Sequence, residues 1–193
     1  MTATRDRIVD AAADLFRTQG YAGTGMKQVV RAAAAPFGSV YHFFPGGKQE
    51  LAGAAIERAG TFYGDLVLAI LDAEDDVVAG TRAVFDGAAE VLVETGYADA
   101  CPIATVGLEV ASTNDELRAA CDRVFSAWIE VLAGRIEAGG AAPAAARSAA
   151  IAVIALLEGA FLLSRTARTT EAMRATGDAA VATVAAAVGR AIR

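Results

Sequence analysis

Apolar side chains recur at three- and four-residue intervals along most of the chain, the spacing that lines one face of an α-helix. Ile8, Ala12, Leu15 and Phe16 keep this rhythm, and Gly20 with Tyr21 closes the run as a left-handed helix end would, which predicts a first helix of about 16 residues. After the break Tyr21-Ala-Gly-Thr-Gly25, the residues Met26, Val29, Val30 and Ala33 share a face. They predict a second helix over 26–34, with Thr24 or Gly25 as its N-cap. Pro36 has no amide to donate to a continuing helix, so a short third helix is predicted over 37–44, with Val40 and Phe44 facing inward. Pro45-Gly46-Gly47 ends it. A long fourth helix starts at Lys48 with Leu51, Ala55, Arg58, Phe62 and Leu66 along one stripe.

Further helices are predicted over 76–95, 103–112, 115–138, 144–168 and 171–192. Their separators are Gly96-Tyr97, Ser112-Thr113-Asn114, Gly139-Gly140 with Pro143, and Arg168-Thr169-Thr170. Thr113 or Asn114 caps the third of these, and Asp115 and Glu116 sit in its first turn, where carboxylates suit the helix dipole. Ile103 to Val110 is β-branched enough to pass for a strand, but a lone strand has no partner. The expected fold class is all-α, without internal repeats.

With 193 residues, 55% hydrophobic and 21% charged, the chain can bury a substantial core, which excludes a disordered protein. The mean hydropathy of +0.40 comes from alanine and scattered aliphatics. No stretch approaches the roughly 20 purely apolar residues of a membrane span, and the best candidate, Ile151 to Leu163, contains Glu158. The N-terminal Met-Thr-Ala-Thr-Arg-Asp-Arg lacks an apolar signal core, so a cytoplasmic protein with no membrane partner is expected. Cys101 and Cys121 lack CxxC spacing and are expected to be buried thiols. One histidine, and no nucleophile elbow, metal-ligand cluster or phosphate loop, argue against an enzyme and against a metal or cofactor.

The net charge of −6 argues, taken alone, against nucleic acid as a partner. Its distribution changes the picture: residues 1–60 hold seven Lys or Arg against five Asp or Glu, and the remainder ten against eighteen. A weakly basic head on an acidic body permits DNA binding.

Two short helices joined by a tight turn and braced by a preceding helix form the geometry that sets a second helix into the major groove. The segment Ala33-Ala-Ala-Pro-Phe-Gly-Ser-Val-Tyr-His-Phe-Phe-Pro-Gly-Gly-Lys-Gln-Glu-Leu51 resembles the recognition-helix signature of the TetR family of transcriptional regulators. Gly38-Ser-Val-Tyr-His42, then Phe44-Pro-Gly-Gly-Lys48 and Leu51, is similar to the branch that includes the LmrA and YxaF repressors. Cys101-Pro-Ile103, Leu108-Glu109, Leu156-Leu-Glu-Gly-Ala160 and Leu162-Leu-Ser-Arg165 extend the likeness into the second half.

The resemblance implies a helix-turn-helix DNA-binding domain over 1–47 and a ligand-binding and dimerisation domain over 48–193. It implies a homodimer formed through the last two helices, both rich in small residues such as Ala179, Ala182 and Gly189. The implied partners are double-stranded operator DNA and a small apolar ligand. Tyr41, His42 and Lys48 fall where relatives contact phosphates, and Thr24 and Lys27 would do so from the second helix. Base reading falls to Phe37, Gly38 and Ser39, with Tyr41 partly involved. The expected ligand pocket draws on Phe62, Leu66, Phe85, Cys101, Phe125, Trp128, Glu158 and Leu162. Glu158 within an apolar run either meets a cationic ligand or pairs with Arg165 or Arg168 at the dimer interface.

Two departures from the family pattern stand out. Ala34 occupies a turn that wants positive φ, and Phe37 replaces a basic or small polar residue at the front of the recognition helix. They motivate an alternative, a TetR-like protein-interaction partner that has lost operator binding.

Overall fold

The computed structural model describes residues 2–190, and every regular element among them is a helix. These are α1 Thr2–Gly23, α2 Met26–Ala32, α3 Phe37–Phe43, α4 Gly47–Ala73, α5 Val77–Glu94, α6 Pro102–Val110, α7 Asp115–Ala138, α8 Pro143–Ala167 and α9 Glu171–Ala187. The periodicity therefore located each element to within a few residues. Two ends differ for local reasons. Gly20 takes φ 77 and ψ 171, and one further turn follows before α1 ends at Gly23. At the other end α9 stops short of 192, because Gly189 adopts φ 73 and the Arg190 amide turns back to the Ala185 carbonyl at 2.8 Å. The last part of the expected helix, 191–193, lies outside the described residues.

The chain forms two compact units, residues 1–63 with 100–125 and residues 64–99 with 126–193. In the first, Ile8, Phe16, Val29, Val40, Phe44, Leu51, Ile103 and Leu117 are buried, and α1 packs against α2, α3 and α6. The stripe expected on α4 is only half right. Leu51 and Ala55 are buried, but Arg58, Phe62 and Leu66 are exposed, and the buried row runs instead through Ala52, Ile56 and Ala59. Close approach selects that row: a Cβ at Gly60 would lie 2.7 Å from both Val124 methyls, so α7 sits almost on the α4 backbone.

In the second unit α9 packs on α5 and α8. Phe85, Leu92, Ile136, Met173 and Val184 fill the space between helices, and Gly177 lets the Phe85 ring lie against α9. Ser164 is fully buried and its hydroxyl accepts the Met173 amide at 3.2 Å, satisfying a first-turn donor of α9. By length and composition α8 is long and apolar enough to cross a membrane, although Arg147, Glu158 and Arg165 interrupt its apolar run. Only 28% of that stretch is buried, with Ile151, Leu162 and Leu163 exposed.

Candidate nucleic-acid interface

The turn between α2 and α3 begins where Val29, Val30 and Ala33 anchor α2 to the core. Ala34 then takes φ 47, the left-handed conformation expected for that turn despite its Cβ. Pro36 follows in extended conformation as the N-cap of α3. Arg7 of α1 donates to the Ala33 carbonyl at 3.2 Å, and the Arg5 guanidinium lies 5.2 Å from the Phe44 ring centre. Two basic side chains of the first helix therefore hold the turn and the end of α3.

Val40 and Phe44 are 0% and 1% exposed, as their i, i+4 spacing requires for the inward face of α3. The opposite face presents Phe37 at 47% and Tyr41 at 50% exposure, their rings edge to face with centroids 5.6 Å apart. Gly38 and His42 are exposed beside them, Ser39 is half-buried, and the imidazole lies 5.0 Å from the Phe43 ring. Nothing approaches within 4 Å of where a Cβ on Gly38 would be, so this face is uncovered.

The cations of the head divide into two groups. Arg17 pairs with Asp14 at 3.7 Å and Arg58 with Asp10 at 3.1 Å, which leaves them little attraction for an outside anion. Lys27 and Arg31 are exposed, four residues apart on one face of α2, and make no ion pair among the described residues. Lys27 was an expected phosphate contact and Arg31 was not, although the four-residue interval that links them is visible in the sequence.

Thr24 requires a correction. It is 1% exposed, and its hydroxyl donates to the Gly20 carbonyl at 2.8 Å, so it has no surface for a phosphate. Gly25 is the N-cap of α2, its amide donating to the Gln28 side chain at 2.7 Å. Lys48 is half-buried in the first turn of α4, with its ammonium 4.3 Å from the Tyr21 ring centre. Burial pushes its pKa down from the ordinary lysine value, partly offset by the nearby Glu109 carboxylate.

The residues expected to line a ligand pocket are scattered in environment. Phe85 is 1% exposed and fully packed, whereas Phe62, Leu66 and Leu162 are 61%, 45% and 58% exposed. Cys101, Phe125, Trp128 and Glu158 are half-buried. The Cys101 sulfur accepts the Ala104 amide at 3.4 Å as the N-cap of α6, and the Trp128 indole lies across Gly64. Arg165, a proposed partner of Glu158, donates to the Tyr97 carbonyl at 3.4 Å, while Arg168 is the exposed left-handed C-cap of α8. Cys101 is half-buried and Cys121 buried, and burial raises the Cys121 thiol pKa.

Residues 8–55, which contain α2 and α3 and most of α1, match the family described as bacterial regulatory proteins, tetR family. Residues 77–179 match the C-terminal domain of LmrA/YxaF-like transcriptional regulators. The chain belongs to the TetR family. It is 32% identical over 163 residues to the uncharacterized HTH-type transcriptional regulator YxaF of Bacillus subtilis, covering 84% of this chain and 85% of that one. Identity to the HTH-type transcriptional regulator LmrA of the same organism is 31% over 165 residues, with 86% and 88% covered. An uncharacterized HTH-type regulator of Mycobacterium tuberculosis is 34% identical over 173 residues, 87% of each chain.

Among solved structures, a regulatory protein TetR from Rhodobacter sphaeroides matches with a TM-score of 0.82 at 22% identity, over 94% of this chain and 99% of that one. A TetR transcriptional regulator from Chloroflexus aurantiacus matches at 0.76 and 25%, over 94% and 93%. This TetR-family chain is a helix-turn-helix transcriptional regulator.

Proposed function

We propose that this regulator is a cytoplasmic homodimeric repressor that leaves a pseudo-palindromic operator when a small apolar ligand binds. In this reading residues 1–47 form the DNA-binding domain and 48–193 the ligand-binding and dimerisation domain, without enzymatic activity. The observation that carries it is the uncovered outer face of α3, held out by the buried Val40 and Phe44 next to the unpaired cations of α2. Phe37, Gly38 and Ser39, with Tyr41 beside them, face base edges. Lys27, Arg31, Tyr41 and His42 contact phosphates, which fixes register without reading sequence. Lys48 joins them for an electrostatic reason. A cation in the first turn of a helix opposes the helix dipole, and a phosphate arriving there relieves both.

Dimerisation is supported by α8, whose apolar Ile151, Leu162 and Leu163 are exposed in the single chain next to small-residue α9. Two heads then meet half-sites about one helical turn, roughly 34 Å, or a multiple apart. A ligand that favours a conformer with a different head separation shifts the population off DNA. Phe62, Leu66, Phe85, Cys101, Phe125, Trp128, Glu158 and Leu162 remain the candidates for contacting it.

The test is a band shift with DNA flanking the protein's own gene, titrated across salt and against random duplex. Tighter binding to the flanking DNA, weakening steeply with salt and reduced in Tyr41→Ala and Lys48→Ala, supports the reading. No shift at low salt overturns it.

A further inference from the structure

Glu109 lies near the end of α6, outside the helix-turn-helix, yet both of its carboxylate oxygens are engaged by the head. The Tyr21 amide donates to Oε1 at 3.1 Å and the Ala22 amide to Oε2 at 2.6 Å. The backbone supplies the reason. Gly20 departs from helical geometry with φ 77 and ψ 171, so the next turn starts anew, and the first amides of a helical turn have no carbonyl four residues back. A carboxylate from another helix performs the task of an N-cap, with charge-assisted hydrogen bonds.

The fit admits no substituent. A Cβ on Gly20 would sit 1.9 Å from Glu109 Oε1 and 3.0 Å from its carboxyl carbon, on a backbone already at positive φ. The clamped turn is also the connector to the DNA-facing elements. Thr24 closes it through its hydroxyl on the Gly20 carbonyl, Gly25 then caps α2, and the Tyr21 ring holds the Lys48 ammonium of α4. Glu109 thus touches, through two amides, the segment that sets where α2 begins and where Lys48 sits.

The geometry points to Glu109 as a positioning residue for DNA binding, which acts on the Tyr21–Ala22 turn from α6 and never meets the nucleic acid. This role rests on the operator-binding reading above.

The test uses the full chain and the duplex that the wild type enriches from a random pool. Glu109→Ala lowers affinity about tenfold, while Glu109→Gln, which keeps an acceptor oxygen of the same reach, recovers much of the loss. Gly20→Ala displaces the carboxylate and lowers affinity similarly, and Gly20→Ala with Glu109→Ala is no worse than the more affected single variant, because both remove one interaction. Amide exchange at Tyr21 and Ala22 accelerates in Glu109→Ala, while amides in the first half of α1 keep their protection.

If the wild type binds its selected duplex and Glu109→Ala binds equally well, the positioning role is wrong and operator binding stands. The role is equally overturned if Glu109→Ala loses helix content throughout and Glu109→Gln recovers none of the affinity. A wild type that enriches no sequence sinks the operator-binding reading and this role with it.

Discussion

The Arg7 guanidinium of α1 donates to the carbonyl of Ala33, so the first helix holds the chain one residue before its left-handed turn. Ala34 follows at φ 47. For a residue with a Cβ this conformation costs about 1–2 kcal/mol, whereas glycine adopts it freely but gives the unfolded chain more entropy, a loss of about 0.4–1 kcal/mol. We expect Ala34→Gly to stabilise the protein by about 0.5–1 kcal/mol, the difference of those two effects. A urea midpoint that moves down instead would show that the turn is not strained.

Close packing in the first unit makes the opposite prediction for another glycine. At Gly60 a Cβ would come within 2.7 Å of both Val124 methyls, so α4 and α7 must part or a rotamer must change. Gly60→Ala is expected to cost about 1–3 kcal/mol, typical of overpacking. The double variant with Val124→Ala should recover part of that loss, because it removes the methyls that collide. Calorimetric melting of the two variants decides this, and equal destabilisation in both would rule out the collision as the cause.

Much of this architecture was legible in the sequence. Helix positions follow from apolar spacing, and the inward pair Val40 and Phe44 followed from a four-residue interval alone. What the spacing could not supply was the choice between neighbouring faces of α4. Arg58, Phe62 and Leu66 continue the stripe as well as Ala59 does, and only the closeness of α7 at Gly60 selects between them. Thr24 was misread because a polar residue ahead of a helix looks like a surface cap, whereas its hydroxyl turns back to Gly20. Glu109 was visible only as part of a family-like dipeptide. Its partners are backbone amides 88 and 87 residues away, which no local pattern encodes.

Acid should expose the work of one cap in the second unit. Asp76 accepts the Val78 and Ala79 amides at 2.9 and 3.0 Å as the N-cap of α5, and its other oxygen meets Arg190. The Ala79 amide bond first, and Arg190 next, hold its pKa below the ordinary 3.8. A carboxyl with a lowered folded-state pKa stabilises the fold above its unfolded value, and that stabilisation fades as pH falls through the folded one. Asp76→Ala is therefore expected to cost about 1 kcal/mol at neutral pH, the usual worth of an N-cap, with the gap to wild type narrowing below pH 3.8. A gap that stays constant into acid would mean that the charge contributes nothing.

Phe37 makes the most specific statement about operator sequence. Its ring is 47% exposed, braced edge to face by Tyr41, at the front of a helix whose first three residues carry no charge. The Phe37 ring cannot donate to guanine, but it can cover the C5-methyl group of thymine, the one apolar feature of the major groove. Burying one methyl group is worth about 0.8 kcal/mol, or roughly fourfold in affinity per half-site. Replacing single thymines of the selected duplex by uracil removes only that methyl, so wild-type affinity should fall about fourfold at one position of each half-site. Phe37→Ala should bind the thymine and uracil duplexes equally. If the variant still discriminates between them, the methyl is read by another residue, and Tyr41 on the same face is the next to test.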